Sequence, residues 1–319
     1  EVFSMTSPNI VILSNNVGRK LASSIAERLF QKTHSVEVGR FNDGEIRIEI
    51  EDSLRGEDVY IIAPTPAPAD NIMEAVLIAD AARRSSAGKI VLVLPYLGYG
   101  RQDRKDKPRV PLSAKVICDM VSRYGPNHVL VLDAHSEQSL GFFSDKVGVD
   151  HLFGSYVGIP YIRENIPKPF MVASPDAGGV KRARAYADRL GHQNIAIFTK
   201  SRPEPGKIGG VSINSDVNGQ NIVFVDDMID TGGTIIANAE AAVKAGAKDI
   251  YVFATHALLS KKAVPNLNKS PVKRIAITDS IDQSGRDLGD KFVVLSVADL
   301  LANAIYRLHN DRSISELIL

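Results

Sequence analysis

Residues 221–234 have the sequence NIVFVDDMIDTGGT, and this segment is the clearest indicator of the architecture. Its apolar run, residues 222–225, is short and rich in β-branched side chains. Two acids, Asp226 and Asp227, follow it directly. Such a run is typical of a strand buried on both faces of a parallel sheet. A brief loop then leads into an alanine-rich segment. The pattern predicts a strand, an acidic edge, a tight turn and a helix in succession.

The turn has the composition of a phosphate-binding loop, which we call the phosphate cradle. Its glycines let the backbone approach a ligand, its threonines offer hydroxyls, and the start of the helix presents unpaired N–H groups at its positive end. We therefore expect it to bind a phosphate group. An ordinary helix cap is the alternative. The phosphate cradle consists of Asp230, Thr231, Gly232, Gly233 and Thr234.

The acidic pair, Asp226 and Asp227, restricts the kind of ligand. Two carboxylates beside a bound phosphate would repel it unless they face another group, such as sugar hydroxyls or a hard cation. A phosphorylated sugar satisfies both parts of the segment. The alternative is a pair of solvated acids beside a helix cap.

Length and composition limit the class of protein. The chain has 319 residues, 44% of them hydrophobic, so we expect two domains of about 150 residues. Lys and Arg total 38 and Asp and Glu total 37, so charge favours neither nucleic acid nor an acidic membrane as a partner. The single cysteine, Cys118, excludes an internal disulfide and a cysteine-based zinc site and indicates the cytoplasm.

The sequence contains no recognisable membrane or targeting segment. No apolar run approaches the ~18 residues that a membrane span needs, and the amino terminus lacks a basic segment followed by an apolar one. Residues 1–4 precede the first methionine, Met5, and are interpreted as an addition to the natural sequence.

Strand-like and helix-like segments alternate along the chain. Strands without polar alternation, separated by helices, predict an α/β fold of mainly parallel sheets flanked by helices. The halves resemble a loose repeat with a boundary near residues 150–165, and a final helix, residues 299–309, is expected to pack on the first half. The predicted strands are residues 9–13, 59–63, 90–94, 129–132, 170–173, 195–198, 222–225, 250–254, 274–277 and 292–295.

Polar residues follow several predicted strands, at the sheet edge where ligands gather. The charged loop from Arg101 can clamp a polyphosphate, although a solvated loop is the alternative. Asp133 and His135 close one strand, where alternation would aim both side chains the same way to share a divalent cation. Asp176 lies in the glycine-containing motif SPDAGG and could meet a metal or substrate. A structural histidine and an ordinary turn are the alternatives.

Two cations follow the strand at residues 195–198. Lys200 and Arg202 occupy alternate positions, which suits stabilisation of phosphate charge in a transition state. Solubilising charge is the alternative. The loop of residues 203–210 is rich in proline and glycine, and we expect it to be mobile and to close over a substrate.

Together these motifs resemble those of the ribose-phosphate pyrophosphokinases (phosphoribosyl pyrophosphate synthetases), in particular the phosphate-activated first class. The resemblance covers nearly the whole chain. The motifs are RFNDGE at 40–45, YGRQDRKDK at 99–107, VPLSAK at 110–115, DAHSEQ at 133–138, GFF at 141–143, SPDAGG at 174–179, KSRP at 200–203, VDDMIDTGGT at 225–234, ATH at 254–256 and SIS at 313–315.

The resemblance implies two phosphoribosyltransferase-like domains. Residues 5–155 would form the ATP side and residues 156–298 the ribose 5-phosphate side, with residues 299–319 as a carboxyl-terminal helix and tail on the first domain. It also implies a reaction. The anomeric hydroxyl of ribose 5-phosphate attacks the β-phosphorus of ATP, with Mg²⁺ as cofactor, to give phosphoribosyl pyrophosphate and AMP.

The family's functional residues are carried over motif by motif. Lys200 and Arg202 match the catalytic cations, and Arg202 is also expected at ribose 5-phosphate, together with the acidic pair and the phosphate cradle. His135 and Asp176 match the magnesium-associated positions, with Asp133 close by. The matching ATP-binding positions are Phe41, Asp43, Gly44, Glu45, Arg101, Gln102 and Asp103.

The resemblance also implies an assembly. Residues 41–45 would serve the ATP site of a neighbouring subunit, which requires a homo-oligomer, expected to be a hexamer built from dimers. Phosphate and ADP are expected effectors near Ser53, Arg55 and residues 313–315. The chain departs from the family in DAHSEQ, where DLHAxQ is usual, and in a slightly longer segment at residues 144–153.

Two other functions fit part of the sequence. A nucleobase phosphoribosyltransferase shares the acidic pair and the phosphate cradle, but it usually has one such domain and lacks the RQD and KSR motifs. A non-catalytic, synthetase-associated regulatory subunit would have lost catalytic positions that this chain retains. A nicotinamide dehydrogenase is disfavoured because Gly98 and Gly100 are not followed by the third glycine of its fingerprint.

Overall fold

The computed structural model describes residues 10–200 and 210–317, apart from the side chain of Lys200. The strands are β1 Ile10–Ser14, β2 Val36–Arg40, β3 Ile46–Ile50, β4 Asp58–Ile62, β5 Lys89–Leu94, β6 His128–Leu132, β7 Gly148–Leu152, β8 Phe170–Ser174, β9 Ile195–Lys200, β10 Val211–Ile213, β11 Asn221–Ile229, β12 Ile250–Ala257, β13 Val272–Thr278 and β14 Phe292–Leu295. The α-helices are α1 Arg19–Arg28, α2 Asp70–Arg84, α3 Ser113–Arg123, α4 Ser155–Asn165, α5 Val180–Leu190, α6 Gly233–Lys244, α7 Ala263–Lys269 and α8 Ala298–His309.

The chain divides into two compact units. The first contains the chain up to Phe153, Ser280–Asp282 and the chain from Val297 onward, and the second contains Gly154–Asp279 and Gln283–Ser296. Each unit has its own sheet and its own buried apolar core. The chain therefore returns to the first unit with α8, after the last strand of the second.

The first unit is built on a five-stranded parallel sheet in the order β1-β4-β5-β6-β7. Its central strands are almost wholly apolar because both faces are covered. Residues such as Val59 and Ile61 pack into one core with Ile78 of α2 and Val121 of α3. Helices α1 and α8 contact each other, and the Arg28 guanidinium donates to the Asp299 carboxylate across that contact.

A separate antiparallel hairpin, β2–β3, accompanies this sheet. Its partly buried Val36, Val38, Ile48 and Ile50 pack against the core of the first unit. Alternation along each strand leaves the charged residues between them exposed. The hairpin thus has one anchored face, and its turn, residues 41–45, is exposed for most of its length.

The second unit is built on a seven-stranded sheet in the order β10-β9-β8-β11-β12-β13-β14. Every pairing is parallel except that of β9 with β10. One core joins the sheet to α6 and α7, and a second joins it to α4 and α5. The strand order reverses between β8 and β11, and in such sheets the carboxyl ends at this switch point form the ligand crevice.

The predicted α/β architecture of mainly parallel sheets flanked by helices is confirmed. Four strands were not among those predicted. β2 and β3 form a separate hairpin with polar alternation, β7 carries Gly, Asp and His, and β10 has only three residues. One prediction was wrong in detail. The strand at 222–225 continues to Ile229, so Asp226 and Asp227 lie within it, because β12 runs alongside and supplies backbone partners as far as Ala257.

No helix within residues 10–200 and 210–317 has the length and apolar character that crossing a bilayer requires.

Candidate active site

The end of β11 extends past one of its neighbours. β11 pairs with β8 up to Ala173 opposite Phe224, whereas it pairs with β12 as far as Ile229 opposite Ala257. Beyond Phe224, the described residues pair with β11 on the β12 side only. Asp226 and Asp227 lie in this part of β11, which β8 no longer pairs, at the switch point.

Arg182 of α5 contacts both residues of the acidic pair. Its Nη1 lies 3.3 Å from Asp226 Oδ1 and 3.2 Å from Asp227 Oδ1. The side chain of Asp227 is 6% exposed and that of Asp226 is 22% exposed. The N–H of Asp227 also donates to Asp226 Oδ1 at 2.9 Å. Two neighbouring carboxylates are therefore held around one guanidinium group.

The acidic pair is electrostatically costly. Burial raises the pKa of Asp226 well above its usual value, and the adjacent charge of Asp227 raises it further. Arg182 acts in the opposite direction and lowers this pKa. Arg182 therefore favours the charged form of Asp226. Sequence reasoning missed Arg182, although an arginine in the first turn of the helix after SPDAGG was an available signal.

The phosphate cradle forms a left-handed turn into α6. Gly232 has φ 74°, and a Cβ at this position would lie 3.0 Å from Leu267 Cγ. Helix α6 begins at Gly233, so the unpaired N–H groups of its first turn face the cradle. Asp230 is held from the next strand connection, because Ser260 Oγ donates to Asp230 Oδ1 and the Ser260 N–H donates to the Asp230 carbonyl at 3.0 Å. Thr231 and Gly233 are exposed.

The loop that carries Asp176 is fastened to the cradle helix. Ser174 Oγ donates to the Asp176 carbonyl at 2.7 Å, and the Gly179 N–H donates to Asp176 Oδ1 at 2.9 Å. Asn238 of α6, which is buried, donates through Nδ2 to the Pro175 carbonyl at 2.7 Å. The crevice thus brings together the Asp176 loop, the acidic pair and the phosphate cradle within the second unit.

The predicted ATP-binding residues lie in the first unit, on two loops. In the hairpin turn, the Phe41 N–H donates to the Glu45 carbonyl at 2.8 Å and the Glu45 N–H donates to Asp43 Oδ1 at 3.1 Å. Gly44 has φ 95°, which favours glycine. The Phe41 side chain is 54% exposed.

The second of these loops follows β5. Arg101 and Gln102 are exposed and Asp103 is half-buried. The Gln102 carbonyl accepts from the Ala114 N–H at 3.1 Å, and its Oε1 accepts from Ser113 Oγ at 2.6 Å. The start of α3 therefore fixes the loop, so its charged side chains project from an anchored backbone.

Asp133 and His135 do not share the orientation that alternation predicted. Asp133 has φ 47°, so the regular strand ends before it and alternation no longer applies. Its side chain is buried, whereas that of His135 is exposed. His151 Nε2 accepts from the Ala134 N–H between them at 3.0 Å. Asp133 and His135 therefore differ in their exposure to solvent.

Metal-ligating side chains are not clustered in the part of the chain that the structure describes. Within the described ranges, no set of three or more His, Cys, Asp or Glu side chains is placed to hold a metal ion. Asp133 and His135 belong to the first unit and Asp176 to the second. Magnesium commonly takes only one or two protein carboxylates and completes its shell with water and phosphate oxygens. An exposed carboxylate such as that of Asp176 fits this mode, in which substrate phosphates supply the other ligands.

The predicted catalytic cations fall largely outside the described residues. The backbone of Lys200 ends β9, opposite Val211, but its side chain is not described. Arg202 and residues 203–209 of the predicted mobile loop also lie outside the described residues.

Known proteins resemble the chain over almost its full length. A family model for the N-terminal domain of ribose phosphate pyrophosphokinase matches residues 10–125, and a model for a phosphoribosyl synthetase-associated domain matches residues 196–319. A ribose-phosphate pyrophosphokinase of Vibrio cholerae is 44% identical over 312 residues, which is 97% of this chain and 98% of the relative. The chain belongs to the ribose-phosphate pyrophosphokinase family.

Other members of the ribose-phosphate pyrophosphokinase family support the same assignment. A relative from Fusobacterium nucleatum is 42% identical over 312 residues, with 97% of this chain and 98% of that protein covered. The crystal structure of phosphoribosylpyrophosphate synthetase from Mycobacterium smegmatis has a TM-score of 0.89 and 32% identity, and it covers 95% of this chain and 99% of that one. The resemblance inferred from the motifs is confirmed, and neither alternative function is favoured.

Proposed function

We propose that this protein is a ribose-phosphate diphosphokinase. It transfers the β,γ-pyrophosphoryl group of ATP to the anomeric hydroxyl of ribose 5-phosphate. The hydroxyl oxygen bonds to the β-phosphorus, the bond to the α-phosphate oxygen breaks, and AMP leaves as 5-phosphoribosyl 1-pyrophosphate forms. The observation that carries the proposal is the acidic pair beside the phosphate cradle at the switch point, in a chain that matches pyrophosphokinases from end to end.

The second unit supplies the sugar site. The phosphate cradle binds the 5-phosphate through N–H groups at the start of α6 and through the threonine hydroxyls. Asp226 and Asp227 accept hydrogen bonds from the ribose hydroxyls, which fixes the anomeric carbon relative to the phosphate. Arg202 is assigned to the same substrate by its motif.

The first unit supplies the nucleotide site. Arg101, Gln102 and Asp103 bind ATP from the loop after β5. The exposed turn of residues 41–45 serves the ATP site of a neighbouring subunit, so the active enzyme is a homo-oligomer, a hexamer built from dimers. Residues 5–155 and 156–298 are assigned as the ATP-side and sugar-side domains, with residues 299–319 as the tail on the first.

Magnesium is the proposed cofactor. Asp176 and His135, with Asp133 close by, hold it together with phosphate oxygens of the substrates. When bound, the ion neutralises charge on the polyphosphate and orients it. Phosphate and ADP are the proposed effectors, and the cytoplasm is the proposed location. The buried Cys118 thiol, whose pKa burial raises to about 12, suits a reducing compartment.

The assay that tests the proposal measures AMP. Purified protein with ATP, ribose 5-phosphate and Mg²⁺ is expected to release AMP without any nucleobase. Pyrophosphate release that requires a nucleobase would instead identify a phosphoribosyltransferase. A protein that binds both substrates without turnover would identify a regulatory subunit.

We predict that Lys200→Ala keeps the fold and ATP binding but loses turnover by about two to three orders of magnitude. The reason is that a preorganised cation stabilises the charge that develops during transfer. Circular dichroism, ATP binding by calorimetry and AMP release measure the three quantities. Wild-type turnover in this variant would contradict the assigned role.

A further inference from the structure

We infer that Arg182 is a positioning residue of the sugar site, which keeps Asp226 and Asp227 charged and paired so that both accept hydrogen bonds from the ribose hydroxyls. The inference rests on the proposed function and adds a residue to it. Arg182 acts through the carboxylates and is not assigned a contact with the substrate.

The geometry of the sheet explains why one arginine reaches both acids. Adjacent residues of a strand direct their side chains to opposite faces. Asp226 and Asp227 nevertheless place carboxylate oxygens 3.3 and 3.2 Å from the same nitrogen of Arg182. β8 does not pair with β11 beyond Phe224, and Arg182 lies on α5, the helix that follows β8 in the chain. Both acids that it contacts therefore belong to the part of β11 that β8 no longer pairs.

Arg182 is a described cation in contact with both acids of the pair. The charged groups that act on Asp226 are Asp227, which favours protonation, and Arg182, which opposes it. On the other flank, β12 places the apolar Ala254 opposite Asp226, and the buried His256 lies two positions further, opposite Met228. The side chain of Arg182 is 20% exposed, so water screens the contact only partly.

The protonation state of Asp226 and Asp227 decides which hydrogen bonds they can make to the sugar. A carboxylate accepts two hydrogen bonds readily, whereas a protonated carboxyl group offers a donor in place of one acceptor. Loss of Arg182 leaves two partly buried like charges side by side, and such a pair retains a proton to higher pH. Ribose 5-phosphate would then bind poorly at neutral pH and regain affinity as the pH rises.

The test compares three single variants. Arg182→Gln removes the charge, Arg182→Lys retains it, and Arg184→Gln is the matched control, since Arg184 lies on the same helix, is exposed and donates to the Gln193 carbonyl. Initial rates of AMP release are measured against ribose 5-phosphate at saturating ATP from pH 6 to 9. The ionisation of ribose 5-phosphate is the same in every assay, so differences in pH dependence between the variants come from the protein.

Arg182→Gln is expected to raise KM for ribose 5-phosphate about tenfold or more at pH 7, which corresponds to ~1.4 kcal/mol. The acid limb, which is the fall of kcat/KM on the low-pH side of its profile, should move to higher pH. The difference in KM from the wild type should therefore become smaller toward pH 9. Arg182→Lys should restore most of the affinity, and Arg184→Gln should match the wild type. An unchanged KM and limb in Arg182→Gln, or a defect of equal size at every pH, would overturn the inference.

A double variant covers the case in which Arg182→Gln does not fold. Arg182→Gln with Asp226→Asn removes one charge of each sign, so no extra buried charge remains. It is expected to fold, to bind ribose 5-phosphate weakly at every pH and to show no shift of the acid limb to higher pH. A limb shifted to higher pH in this double variant would overturn the inference. Absence of AMP release from the wild-type protein would instead defeat the proposed function, so the two failures are distinguishable.

Discussion

At the scale of single residues, Asp226 is placed for binding at the expense of stability. Folding raises its pKa, so the folded state holds its proton more tightly than the unfolded state. Between the unfolded value of about 3.9 and the raised value, the folded protein therefore carries more protons, and the free energy of unfolding falls as pH rises. The proposed contact of Asp226 with ribose hydroxyls would account for an ionised acid that weakens its own fold.

We predict that Asp226→Asn stabilises the substrate-free protein at pH 8 by about 1 kcal/mol, or ~2–4 °C in Tm, because asparagine cannot ionise. The gain should vanish toward about pH 3, below the unfolded pKa of about 3.9, where Asp226 is protonated in both states. Thermal unfolding at the two pH values measures it. Asp290→Asn, at an exposed carboxylate of the same unit, is the control and should change little at either pH. A gain that does not depend on pH would contradict the prediction.

The same substitution should weaken ribose 5-phosphate binding. Asp226→Asn replaces a charged acceptor by a neutral amide, and KM for ribose 5-phosphate should rise about tenfold or more while KM for ATP stays near the wild-type value. Initial-rate kinetics with each substrate varied in turn measure this. An equal rise in both KM values would indicate general damage.

At the scale of elements, the turn into α6 depends on which of two adjacent residues is glycine. We predict that Gly232→Ala costs about 1–2 kcal/mol, since φ is 74° and the new methyl group would meet the Leu267 side chain. Gly233→Ala is the matched control. Its Cβ would have only Thr231 Oγ1 at 3.7 Å, an ordinary contact, and it begins a helix. Urea unfolding should rank Gly232→Ala clearly below Gly233→Ala, and equal stabilities would refute the argument.

The connection between two loops of the crevice gives another element-scale prediction. Asn238→Ala should cost about 1–3 kcal/mol, because it leaves the Pro175 carbonyl without its buried donor. Asn165→Ala removes the same kind of bond, to the Tyr161 carbonyl, at an exposed position of the same unit and should cost less than about 0.5 kcal/mol. Urea unfolding of both variants measures the difference. Similar losses would show that the loop connection contributes nothing special.

The elements also show what sequence alone can predict. Apolar runs between helices identified ten of the twelve strands in the two large sheets, because strands covered on both faces lack polar residues. The extent of β11 was missed, since only the partner strand β12 makes Asp226 and Asp227 part of the sheet. Arg182 was missed although its place in the first turn of the helix after SPDAGG was a local signal. Its contact with the acidic pair depends on how α5 packs against β11, which a local pattern does not encode.

At the scale of the whole molecule, the two units differ in topology. In the first sheet the strands follow chain order without reversal, whereas the second reverses between β8 and β11. The second unit therefore has a crevice prescribed by topology, and the first presents its ATP-binding candidates on a loop and a hairpin turn. The exposed Phe41 at that turn suits a role completed by another copy of the chain.

We predict that activity depends on assembly. If residues 41–45 complete the ATP site of a neighbouring subunit as proposed, specific activity should fall when dilution dissociates the protein. Light scattering and AMP release measured over the same concentration series provide the comparison. Activity per chain that stays constant down to the monomer would contradict a shared ATP site.

The contact of Arg182 with Asp226 joins positions 44 residues apart, and this has a consequence for how the molecule folds. Until α5 has docked, β11 carries two neighbouring negative charges without their counter-ion, and closing so long a loop must precede the compensating attraction. We therefore expect the charge of the two acids to be balanced only once α5 has docked. A chain in which α5 is undocked should bind ribose 5-phosphate more weakly than the folded protein.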